Sequence, residues 1–155
     1  MKYFTLLFSL LIFNFTPSQS NNSAQNLKNQ NNLLDFGAVG DGRTDDSAAF
    51  LKALVSASKS TSKVIVIPTD YIFNLGNKVI DFNKYESGIV LYFQGGIIQN
   101  ASLAGYKTRI KADRMKIFEN ITLSGTFSST TDFANPEWFG CFPEDKKVDL
   151  IDALK

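Results

Sequence analysis

The sequence predicts an all-β chain wound as a parallel β-helix, with one amphipathic helix near its start. Three observations carry that expectation. The first is a repeat: Asn100-Ala101-Ser102-Leu103-Ala104-Gly105 returns as Asn120-Ile121-Thr122-Leu123-Ser124-Gly125, a shift of 20 residues (120 − 100). The match extends backwards, Ile97 over Ile117 and Ile98 over Phe118. A constant shift of this size describes successive coils of a solenoid, each stacking like residues on like. Leu103 is then expected under Leu123, and Asn100 under Asn120 in a turn-lining ladder, at about 4.8 Å per coil. Leucine-rich repeats share the period, but their series of spaced leucines ending in Asn is missing. The second observation is that short β-branched or alternating runs dominate from Lys63 onward. The third is one earlier stretch, Phe50, Ala53, Leu54 and Ala57, with helical spacing and an apolar stripe.

The elements follow in chain order. Residues 1–20 read as a signal peptide: Lys2 is a short positive start, Tyr3 to Phe15 is almost wholly apolar, and Pro17 breaks the run. Ser18-Gln19-Ser20 places small residues where a signal peptidase cuts, so cleavage is expected after Ser20. The run is too short for a comfortable membrane span, and an uncleaved anchor is the alternative reading. Residues 21–32, rich in Asn, Gln and Ser, bury too little apolar surface to offset their ordering entropy and are expected to be a flexible lead-in. Structure is expected from Leu33, with Leu33 to Phe36 as a short strand. Gly37, Gly40 and Gly42, with Asp41, mark a tight loop. Thr44 is the expected N-cap of the helix, and Asp45 and Asp46 place negative charge at the positive end of its dipole. Ser58 to Ser62 ends the helix. Strands are expected at Val64 to Ile67, Tyr71 to Asn74, Lys78 to Phe82, Ile89 to Gln94 and Thr108 to Ala112. In the last of these, Arg109 and Lys111 point one way while Thr108, Ile110 and Ala112 point the other.

A second, longer repeat closes the chain. Phe36-Gly37 returns as Phe139-Gly140, and Phe50-Leu51-Lys52-Ala53-Leu54 returns as Leu150-Ile151-Asp152-Ala153-Leu154. The loop of the second copy, Cys141 to Lys147, has no glycine and is not expected to reproduce the first. Residues 33–134 are thus expected to hold a cap and first coils, and 135–155 the start of a second, truncated cap-like repeat. A short helix at the end gains little without a core to cover, so the chain is expected to be incomplete.

Composition narrows the chemistry. The net charge is +1, which offers no electrostatic footprint for nucleic acid. Histidine is absent, which removes Ser-His-Asp and Cys-His catalysis and every His-containing metal site. Cys141 is the one cysteine, so no intrachain disulfide or cysteine cluster forms, and it reads as a small apolar position.

The string from Leu34 to Phe50, LDFGAVGDGRTDDSAAF, closely resembles the N-terminal signature of the pectate-lyase superfamily, in the form shared by rhamnogalacturonase-like and epimerase-like domains and many phage tailspikes. The family-signature residues are Asp35, Phe36, Gly37, Gly40, Asp41, Gly42, Thr44, Asp45 and Asp46. Asn135-Pro136-Glu137-Trp138-Phe139-Gly140 is similar to a joint in tandem members. The resemblance implies a right-handed parallel β-helix whose open N-terminal end is capped by the strand, loop and helix of the signature. It also implies a secreted protein, extracellular or periplasmic, acting on polysaccharides such as pectic or other uronate-containing glycans. Lyase members take the proton beside a uronate carboxyl with a Lys or Arg base, often with Ca²⁺; hydrolase members use aspartates. Those residues sit on later coils, so no catalytic residue carries over. No cofactor is expected in this chain, and Ca²⁺ is implied only for a full-length parent. The competing reading is a non-catalytic glycan-binding or tailspike-like module, and whether this chain is itself an enzyme stays open.

Several residues carry two readings. Asp41, Asp45 and Asp46 form an acidic cluster suggestive of Ca²⁺, but they lack the ligand series of an EF-hand and read better as an Asp turn and helix charges. Gly37 to Gly42 lacks the Lys-Ser/Thr of a phosphate loop. Trp138 reads as an anchor between packed units before a sugar platform. Arg109, Lys111, Arg114 and Lys116 make a basic stripe able to hold uronate carboxylates, with a solvated outer face as the default. Asn100 and Asn120 also fit glycosylation acceptors, relevant in a eukaryotic host.

Overall fold

The computed structural model describes residues 30–85, 88–130 and 135–141. Among them a seven-stranded sheet forms from β1 (Asn31–Asn32), β2 (Asp41–Asp45), β3 (Val64–Ile67), β4 (Ile72–Asp81), β5 (Val90–Phe93), β6 (Ile97–Lys111) and β7 (Phe118–Ser129). Its strands pair in parallel and the sheet curls into a half-barrel. Helix α1 (Ser47–Lys59) lies between β2 and β3 in the chain.

The registers advance in two columns. In one, Asn31 pairs with Ile65, Ile65 with Leu91, Leu91 with Ile110, and Ile110 with Ser129. The step shrinks from 34 residues (65 − 31) through 26 (91 − 65) to 19 (110 − 91, then 129 − 110). In the other column β2, β4, β6 and β7 lie side by side. Strand β6 serves both: its first part pairs with β4, its last with β5, and β7 follows it along most of its length. The expected repeat is the observed register, with Leu103 on Leu123, Ala104 on Ser124 and Gly105 on Gly125.

Stacking like on like builds the interior. Ile65, Leu91 and Ile110 form one buried column, and Phe73, Ile98 and Phe118 another. Ile80 and Leu103 continue into Leu123, which is only half-buried because β7 has no further strand beside it among the described residues. Helix α1 turns Phe50, Ala53, Leu54 and Ala57, all fully buried, onto the first strands β1, β3 and β4. Phe50 meets Phe82 edge-on at 6.4 Å. Burial of such side chains contributes about 1.5–3 kcal/mol each for the large ones. Helix α1 therefore covers the first strands of the stack, and among the described residues Ile121, Leu123 and Phe127 of β7 are only half-buried.

Four expectations are corrected. Asn31 and Asn32, assigned to the flexible lead-in, form β1: Asn31 is buried and its Nδ2 donates to the Val64 carbonyl at 2.9 Å. Leu33–Phe36 is a 3₁₀ turn rather than a strand, because Asn32 caps it and Gly37, with φ 88°, ends it. Thr44 is not the N-cap. It lies in β2, and the helix starts at Ser47 with Asp46 as the preceding residue. The two strands expected between Tyr71 and Phe82 are one strand, β4, with an irregularity between Asn74 and Lys78. The signal-peptide segment 1–20, the rest of the lead-in and the helix repeat at Leu150–Leu154 lie outside the described residues.

Candidate functional site

The signature residues converge on one loop and its surroundings. Asp41 folds the loop on itself: its Oδ1 accepts from the N–H groups of Arg43 and Thr44, each at 2.8 Å, and its Oδ2 from the Thr44 hydroxyl at 3.0 Å. Asp45 accepts from the Ser47 N–H at 2.9 Å, satisfying one orphan donor of the helix start. These contacts hold both carboxyls below the ordinary carboxylate range, through the Thr44 amide first for Asp41 and Ser47 first for Asp45. Asp46 is buried and reaches backward, accepting from the N–H of Val39 at 2.7 Å and of Gly40 at 3.1 Å. Gly40 needs its missing side chain: φ is 68°, and a Cβ would stand 2.7 Å from the Tyr71 ring. Asp35 is exposed, and Phe36 packs on the core from its partly buried position.

Each loop carboxylate is thus taken up by main-chain donors. Among the described residues no group of three or more His, Cys, Asp or Glu stands close enough to hold a metal ion.

An amide chain links the loop to the coils. Asn120 Nδ2 donates to Asn100 Oδ1 at 2.7 Å, Asn100 Nδ2 to Asn74 Oδ1 at 3.1 Å, and Asn74 Nδ2 to the Arg43 carbonyl at 3.0 Å. It crosses β7, β6, β4 and β2 in turn. Asn100 and Asn120 have φ of 56° and 50°, a left-handed corner that Asn tolerates better than most residues with a Cβ. Asn74 was not anticipated from sequence, because the irregularity in β4 moves it off the 20-residue spacing.

A second constellation gathers around Asn135–Gly140. Pro136–Phe139 is a 3₁₀ turn ended by Gly140, with φ 85°, so the Phe-Gly repeat marks a repeated backbone as well. Trp138 is buried and its Nε1 donates to the Asp113 carbonyl at 3.1 Å, in keeping with an anchor. Its carbonyl accepts from the Ile117 N–H at 3.0 Å, and Phe139 lies 5.6 Å from the Phe118 ring. Glu137 is buried and paired with Arg114, whose Nε donates at 2.9 Å; that contact, with a backbone hydrogen bond, lowers the Glu137 pKa. Cys141 follows as a buried free thiol.

The basic stripe divides. Arg114 and Lys116 lie after β6 and are engaged by Glu137 and Glu119, the latter at 3.0 Å. Arg109 and Lys111 stay exposed on β6. No helix among the described residues is long and apolar enough to cross a membrane. Comparison with protein-family models, with curated proteins and with solved structures finds no match to this chain.

Proposed function

We infer that the chain forms the capped first coils of a right-handed parallel β-helix of the pectate-lyase type, in an exported protein that acts on acidic polysaccharides. The observation that carries the reading is the parallel, in-register stacking of successive coils behind a signature loop built from Asp41, Asp45, Asp46 and Gly40. A helix over the first strands and an amide ladder at a left-handed corner support it, since each serves a stack that grows coil by coil. In this reading the described coils are frame, and β-elimination or hydrolysis belongs to coils beyond them in the full-length protein, with Ca²⁺ as the ion a lyase would recruit.

A second reading, a non-catalytic glycan-binding or tailspike-like module, is favoured by one observation. Asp41, Asp45, Asp46 and Glu137 are all committed to amides or to Arg114, leaving none of them free for acid–base work. The experiment that tests both is release of unsaturated or reducing ends from a panel of pectic polysaccharides, with and without Ca²⁺, by the full gene product. Cleavage supports the enzyme reading; binding without cleavage supports the module; neither binding nor cleavage defeats both. N-terminal sequencing of the exported product is expected to begin at Asn21, and a product retaining residues 1–20 would defeat the cleaved-leader reading.

A further inference from the structure

The first and last strands of the stack are finished differently. At the first, the turn Leu33–Phe36 leads through β2 into α1, and Phe50, Ala53 and Leu54 lie fully buried where α1 meets β1, β3 and β4. At the last, β7 pairs only with β6 among the described residues, and its side chains Ile121, Leu123 and Phe127 pack on the core while staying half-buried. An uncovered strand edge beside apolar side chains is a liability that folded chains close. The turn Pro136–Phe139 is already seated there. Its Trp138 carbonyl accepts from the Ile117 N–H at 3.0 Å, and the Phe139 ring lies 5.6 Å from that of Phe118. It ends as the first turn does, with Gly140 at φ 85° against Gly37 at φ 88°. Further on, outside the described residues, Leu150, Ala153 and Leu154 repeat in sequence the inward positions Phe50, Ala53 and Leu54.

We propose that residues 142–155 dock on β7, with Leu150, Ala153 and Leu154 covering Ile121, Leu123 and Phe127, so that one sequence module closes both ends of the stack. The inference does not rest on the polysaccharide reading. Reach allows it: residues 142–149 span up to about 26 Å when extended, whereas Leu123 stands five residues (123 − 118) along β7 from Phe118, about 17 Å. Helical spacing over so short a stretch gives no stable helix alone in water, so the apolar stripe needs a surface to hold it. The half-buried side chains of β7 are that surface. A second copy of the chain fits the same edge less well. Strand β7 turns at Asn120 and Gly125, with φ of 50° and 77°, and Trp138 and Phe139 already occupy its first end. It therefore offers no long straight edge for another chain to pair with.

The test places a nitroxide label on the full chain at Lys155→Cys, with Cys141→Ala to leave a single thiol, and reads methyl signals by NMR. The label is expected to broaden the Ile121 and Leu123 methyls strongly and to spare those of Leu51 and Val55, which are exposed on α1 at the opposite end. Leu154→Asp puts a charge on the apolar stripe and is expected to abolish the broadening. Asp152→Asn lies on the other side of the same helical pattern and is expected to keep it. Circular dichroism confirms that each variant folds. Absence of broadening on β7 overturns the proposal, as does broadening that survives Leu154→Asp. Mixing labelled chains with isotope-enriched unlabelled ones separates the remaining occupant: broadening that crosses between chains assigns the edge of β7 to a second copy and overturns the proposal too.

Discussion

The turns at Asn32–Gly37 and Asn135–Gly140 have the same hydrogen-bond pattern and different fastenings. In the first, the Gly37 N–H bonds to Leu34 and the Ala38 N–H to Leu33; in the second, Gly140 bonds to Glu137 and Cys141 to Pro136, with closely similar lengths. The first is capped by its own Asn32 side chain and sinks Leu33 into a core closed by α1. The second has no side-chain cap and is fixed from outside, by Arg114 on Glu137 and by the Trp138 indole on Asp113. A backbone turn set by Asn, Phe and Gly is therefore portable, while its anchorage is supplied by whatever surface it meets.

The comparison is broken most severely through the core. Phe50→Ala is expected to cost about 3–5 kcal/mol in denaturant unfolding, because a fully buried ring against Phe82 leaves a cavity. Asp46→Ala comes next, at about 1–3 kcal/mol, since it strips the acceptor from the buried Gly40 N–H and from Val39. Within the ladder, Asn100→Ala is expected to cost about 1–2 kcal/mol and Asn120→Ala less, as Asn100 makes two rungs and Asn120 one. Asn32→Ala is expected to cost about 1 kcal/mol and Asn135→Ala close to nothing, which isolates the difference in capping. Equal costs at the two asparagines would erase the distinction between the turns.

Acid sharpens the same contrast. The Glu137 pKa is lowered chiefly by Arg114, so its stabilising contribution is complete above the ordinary carboxylate value and disappears as pH falls through the lowered one. Exchange of the Ile117 amide, which is bonded to Trp138, is expected to gain protection loss below that range. Glu137→Gln should flatten that pH dependence; an unchanged profile would assign the acid response to Asp41, Asp45 or Asp81, whose carboxyls are also lowered by local hydrogen bonds.

Where one physical signal dominated, the sequence was legible. The repeat from Asn100 to Gly125 predicted register to the residue, because stacked coils present identical environments to identical side chains. The helix was legible from its stripe, though not its start: Asp41 draws Thr44 into its own turn, and backbone pairing with β4 outweighs the capping preference. Leu33–Phe36 was misread because apolar residues suit a buried 3₁₀ turn as well as a strand; the signal that separates them is the Asn32 and Gly37 pair around it. What sequence did not show of the basic stripe was that Glu137, far along the chain, pairs with Arg114, while Lys111 lies over the Tyr92 ring.

The ladder spacing has a consequence for how such a chain is edited. Asn120 stands in the same corner and on the same rung as Asn100, 20 residues earlier. Excising residues 101–120 would join Asn100 to Ile121 with the corner, the rung and the inward pattern all kept, whereas losing a single residue would turn every later side chain of β7 to the wrong face. Whole coils are thus the natural unit of insertion and loss. The gene length of a chain that stacks in this way is expected to drift in steps of about 20 residues, each step adding or removing one layer of parallel strands.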